Sequence, residues 1–139
     1  MWQVNPDPHA AGYEYWPTHA VTANFPHGVD VQALQRAFTD AGLATDQVQV
    51  LQGAAGAALL DLEGERHGSW VRFHRELDRM LSDEMWYMDR QEEVLQSGGV
   101  VVAAFTGGDD ARKHRTAEVL KSHGGQEVRY WGNWIIADL

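Results

Sequence analysis

The chain contains no cysteine among its 139 residues. That removes disulfides, thiolate metal sites and thiol nucleophiles together, and it fits a reducing compartment. Basic residues are few as well: 11 Lys and Arg stand against 20 Asp and Glu, for a formal net charge of −9. A nucleic-acid partner is disfavoured on that ground, because phosphate contacts need a basic surface. The local cluster Arg112-Lys113-His114-Arg115 is too short and too mixed to offset the rest. No apolar run approaches the ~20 residues of a membrane-spanning helix. The start, Met1-Trp-Gln-Val-Asn-Pro-Asp-Pro8, lacks the basic and apolar stretches of a secretory signal. The expectation is a cytoplasmic protein with no membrane partner. No low-complexity tract argues for disorder, and the length suits one core.

What is present is a doubled pattern. Val21, Ala23 and Phe25 alternate with Ala20, Thr22 and Asn24, the period of a strand. Pro26-His27-Gly28 ends it, and Asp30 can cap a helix whose inner face is Val31, Leu34, Phe38 and Ala41. Gly42 suits the left-handed position after that helix, and a second strand follows at Gln47–Leu51. The later unit repeats the plan. Val100–Phe105 is apolar on both faces, as a central strand would be. Asp109 and Asp110 place carboxylates at a helix start, and the helix turns Ala117, Leu120 and His114 inward. Gly124 stops it before a strand at Glu127–Tyr130.

Between the units, Gly53-Ala-Ala-Gly-Ala-Ala58 reads as small and flexible. Helical spacing then runs through Trp70, Phe73, Leu77 and Met80/Leu81, and through Met85, Met88 and Leu95, as one kinked helix or as two with Ser82 as a cap. The expected fold is α+β: a ferredoxin-like βαβ…βαβ antiparallel sheet, a helical insertion at about 54–97 and a short C-terminal hairpin. Right-handed crossovers place the first and third strands centrally. Residues 1–18 form a proline- and aromatic-rich arm, expected to pack on its own domain or a neighbour, and residues 19–139 form one domain.

The C-terminal third resembles the bacterial heat-induced, or general stress protein, domain family. The segments that carry the resemblance are Gly98-Gly-Val-Val-Val, the Asp109-Asp110 helix, and His123-Gly-Gly-Gln-Glu-Val-Arg-Tyr-Trp-Gly-Asn-Trp-Ile-Ile-Ala-Asp-Leu139. Val21–Gln52 is similar in outline, and Gln91 stands where the family would carry an aromatic. The resemblance implies a small cytoplasmic domain associated with stress responses. It supplies no catalytic residues and no cofactor.

The candidate sites follow from single motifs. His74 and Asp78 lie one helical turn apart, with Glu63 and His67 upstream, but a closed zinc site needs three or four ligands and no His-Glu-x-x-His motif is present. No Gly-x-Ser-x-Gly elbow occurs, so no catalytic residue is assigned. His114 could serve as a buried base or as a packing residue. Thr106-Gly-Gly could cradle an anion, but Asp109 and Asp110 would repel one. Tyr130 and Trp131 alternate to opposite sheet faces, so at least one ring needs cover beyond the two repeat helices. The insertion, the arm or a second subunit could give it, and a homodimer is the favoured expectation. The alternative is a small-molecule pocket lined by Trp70, Phe73, Met80, Met88 and Trp134. The candidate ligand or interface residues are therefore Trp70, Phe73, Met88, His114, Tyr130, Trp131 and Trp134. The expected function is non-enzymatic, through self-association or an unknown protein partner; the alternative is a small-molecule-binding domain or cofactorless enzyme with that pocket between the sheet and the insertion.

Overall fold

The computed structural model describes residues 2, 4–6, 19–60, 78–132 and 136–139; within these, the side chains of 78–85 and Met88 are not described. Five strands, β1 (Ala20–Phe25), β2 (Val48–Gln52), β3 (Val100–Phe105), β4 (Gln126–Trp131) and β5 (Ile136–Asp138), form one antiparallel sheet in the order β2-β3-β1-β4-β5. β1 and β3 are central, as the apolar runs imply. Among the described residues, four helical segments accompany them: α1 (Val31–Asp40), α2 (residues 53–60), α3 (Asp78–Gln96) and α4 (Asp110–Ser122).

Strand alternation sorts the side chains into two cores. Val21, Ala23, Phe25, Val50, Val100, Val102 and Val128 face Leu34 and Phe38 of α1 and Ala117 and Leu120 of α4. Leu51, Val101 and Ala103 face Ala57 and Leu60 of α2 and Val94 and Leu95 of α3. The described residues thus form three layers, with α1 and α4 on one side of the sheet and α2 and α3 on the other. Each buried Val or Leu removed from water contributes about 1.5–3 kcal/mol, so both faces of β3 are strongly stabilising.

The helix ends obey the sequence. Asp30 Oδ1 accepts from Ala33 N–H at 3.1 Å, and Asp109 Oδ1 accepts from Arg112 N–H at 3.1 Å. At α1, Gly42 at φ 72° lets Leu43 N–H reach Phe38 O and Gly42 N–H reach Thr39 O. The same paired bonds close α3 at Gly98-Gly99 and α4 at Gly124-Gly125.

Two expectations change, and one open alternative is decided. The Gly-Ala stretch at 53–58 is not a flexible connection but the start of α2, since alanine is the strongest helix former and flanking contacts hold the glycines. At Ser82, where one helix or two were open, α3 runs through without a break. His114 does not face the sheet. It is exposed, while the buried stripe of α4 is Thr116, Ala117 and Leu120, with Lys113 rather than His114 one turn before. At about 100° per residue, His114 is turned well off that stripe.

The C-terminal hairpin is present as β4 paired with β5, Arg129 opposite Asp138 and Trp131 opposite Ile136. Its turn at 133–135 lies outside the described residues.

Candidate functional site

Tyr130 and Trp131 do lie on opposite faces, and each anchors a separate cluster. On the α4 side, His19 Nδ1 is 3.0 Å from Tyr130 Oη, which donates to Gly107 O at 3.2 Å. Both contacts are satisfied when His19 carries its proton on Nδ1 and donates it to the phenol oxygen. Lys113 Nζ sits 4.0 Å from the Tyr130 ring centroid and 2.8 Å from Asp110 Oδ1. The hydrogen bond to Asp110 raises the Lys113 pKa, and the same bond lowers that of Asp110. His19 is held at φ 56°, and its carbonyl accepts from the Thr106 and Gly107 N–H groups. The cluster therefore clamps the start of β1 to the loop before α4.

On the other face, α3 lies over β3 and β1, and its Tyr87 and Arg90 reach residues of β4. Trp131 is 1 % exposed and donates its indole N–H to Thr22 Oγ1 at 2.8 Å. Its ring meets Tyr87 of α3 at 6.0 Å between centroids, near-perpendicular. Arg129 stacks over Tyr87 at 5.2 Å and is ion-paired to Asp138 at 2.7 Å. Arg90 of α3 donates to Glu127 at 2.8 Å. Glu127 occupies a bulge: Thr22 faces Arg129 but Asn24 faces Gln126, so two residues of β4 stand opposite Ala23. Its φ of 51° is the cost of aiming that carboxylate at α3. Gln91 and Asn24 are buried within the same layer.

Trp131 thus receives its cover from α3 of its own chain. The need for a second subunit to cover that ring is met internally.

The outward side of α3 is different. Trp86 is 56 % exposed and, with Val4, is one of two exposed large hydrophobic residues among those described. It meets Tyr87 edge-on at 4.9 Å. Asp89 and Glu93, one and two turns on, are exposed along the same side. No family model, no curated protein and no solved structure matches this chain.

Of the residues singled out from the sequence, Tyr130 and Trp131 are placed in these two clusters and His114 belongs to neither. Trp70, Phe73 and Trp134 lie outside the described residues, as do His67 and His74. Met88 lies in α3, but its side chain, like that of Met80, is outside them too. Among the described residues, no three His, Asp or Glu side chains are grouped to hold a metal ion, and no helix is long and apolar enough to cross a membrane. A hollow of about 460 Å³ runs along α1 past Gln32, Gln35, Arg36, Thr39 and Asp40, away from both clusters. Trp86, Tyr87, His19 and Lys113 were not among the residues expected from sequence. A signal for Trp86 exists there: it sits off the Met85–Met88 spacing and on a helical stripe with Asp89 and Glu93.

Proposed function

We propose that this chain is a non-enzymatic α+β domain of the cytoplasmic, stress-associated kind that acts by binding a protein partner through the outer side of α3. The observation that carries the reading is Trp86, a large ring left 56 % exposed in the middle of a long helix. Tryptophan is enriched among residues that dominate binding energy, and exposing it in a monomer gains nothing for the fold. Asp89 and Glu93 flank it, and the whole chain carries −9. The partner therefore offers an apolar cleft rimmed by Lys or Arg; a second copy would bring like charge to like.

The stress association rests on the C-terminal sequence segment. The fold reading that goes with it takes β2-β3-β1-β4 as the ferredoxin-like order, with β5 added at one edge, and the order of these four strands supports it.

The test is a photoreactive benzoylphenylalanine placed at position 86 in the living host. A discrete crosslinked species containing a second, basic protein is expected, and Asp89→Lys with Glu93→Lys should abolish it. No crosslink, or crosslinks only between copies of this chain, would overturn the reading.

A further inference from the structure

The outer edge of β2 is occupied by the chain's own N-terminal segment. Val4 bridges Val50 in parallel, and Asn5 N–H donates to Val50 O at 2.8 Å. The Asn5 side chain then acts as a further strand residue would: Gln52 N–H donates to its Oδ1 at 2.8 Å, and its Nδ2 donates to Gln52 O at 3.0 Å. Trp2 is 6 % exposed and packs edge-on against Phe38 of α1 at 4.9 Å, with its backbone N–H donating to Gln35 Oε1 at 2.9 Å. Gly56 of α2 completes the seat. A Cβ there would lie 3.0 Å from Asn5 Oδ1 and 3.1 Å from Leu51.

These contacts describe a receptor and a ligand that happen to share a chain. The receptor is the β2 edge with Phe38, Gln35 and Gly56; the ligand is the segment that carries Trp2, Val4 and Asn5. Main-chain bonding to a sheet edge with two side chains in fixed seats is how sheets recognise peptides. The seating is imperfect on both anchors. Trp2 Nε1 is buried without a hydrogen-bond partner, and Asn5 is held at φ 51°. Both features favour release of the segment.

We propose that the β2 edge is an exchangeable peptide-binding site, and that its occupant in trans is the Trp2–Asn5 segment of a second copy of this chain. Every contact made in cis is available unchanged between copies, which is the condition for exchange. Residues 7–18, which connect the segment to β1, can reach up to ~40 Å. Crossing from β1 past β3 and β2 to the outer edge spans three strand spacings, about 14 Å. The connection is therefore longer than the path within one chain requires.

Two measurements test this on the full chain. In the first, unlabelled peptide Trp2–Pro6 is added in excess to the isotopically labelled protein. The Val4 and Asn5 amides should leave their folded positions while Val50 and Gln52 keep theirs, and a peptide with Asn5→Ala should compete about tenfold less well. Amides of Val4 and Asn5 that stay in place at saturating peptide would overturn the site. In the second, sedimentation is followed as protein concentration rises. A dimer that grows with concentration and is lost in Trp2→Ala/Asn5→Ala supports exchange between copies. A monomer throughout, or a dimer indifferent to that pair of substitutions, would overturn the second copy as occupant. Neither result depends on Trp86, so the α3 reading stands or falls separately.

Discussion

Asp110 ties the first turn of α4 to the sheet through one proton-sensitive contact. Its carboxylate holds Lys113, whose amine covers the Tyr130 ring. The bond lowers the Asp110 pKa below the ordinary ~3.9. The sign follows directly: the pair stabilises the fold above the unfolded carboxylate range and is lost as pH falls through the lower folded value. Lys113 is the mirror case. Its pKa is raised, so its contribution is present below the ordinary lysine range and is lost as pH rises through the folded value. Carboxyl-detected titration should place Asp110 below an unperturbed aspartate, and Lys113→Met should return it to the ordinary range. An unchanged midpoint in that variant would show the pair to be idle. Asp110 is exposed, so the global stability change should be slight. The same contact marks where sequence runs out at the scale of one residue. The basic run is visible in the chain, but which of its members turns inward is not. One step along a helix rotates a side chain by about 100°, and that step exchanged Lys113 for His114.

At the scale of elements, the close packing at Gly99 makes a sharper demand. A Cβ there would lie 2.7 Å from Val94 Cγ1 and 2.9 Å from both the Phe25 and Val94 carbonyl oxygens. Backbone oxygens cannot step aside, so Gly99→Ala should destabilise by about 1–3 kcal/mol in urea unfolding. Gly108→Ala, with nothing within 4 Å, should stay within about 0.5 kcal/mol of the wild type. Equal costs at the two positions would contradict the packing described for α3 and β3. The glycines that end α1 and α4 were legible in sequence because a left-handed residue after a helix is a local requirement. β1 and β2 were legible because their apolar residues alternate, and β3 because its run is apolar on both faces. The insertion was harder. Whether Ser82 caps a helix or rides inside one depends on what the rest of the helix buries, and that is decided by a sheet face distant in sequence. The candidate site suffered from the same limit. Tyr130 and Trp131 were separable by alternation alone, but Tyr87 could be paired with Trp131 only once α3 was laid across the sheet. Gly56 gave no sign that it makes room for Asn5.

The whole molecule is governed by two cores sharing one sheet. Val102 belongs to the core under α1 and α4, and Val101, its neighbour, belongs to the core under α2 and α3. Both are fully buried. Val101→Ala and Val102→Ala should each cost about 2 kcal/mol in chemical denaturation, with a single transition in either case. A much smaller cost for Val101→Ala would mean that the insertion only rests on the sheet. Homogeneous burial on both faces makes it part of the fold.

The pairing pattern of β1 carries one more consequence, for the order in which the chain becomes stable. β1 is hydrogen-bonded to β3 and β4, and β2 is bonded to β3, but β1 and β2 are not neighbours. Up to residue 99, then, the described strands have no partner among themselves. As the polypeptide leaves the ribosome, its first two strands must wait for Val100–Phe105 before either can join a sheet. Loop closure over that separation is slow compared with local helix formation. A nascent chain halted before β3 would expose Val21, Phe25 and Val50, and it should be a client for chaperones until the third strand arrives.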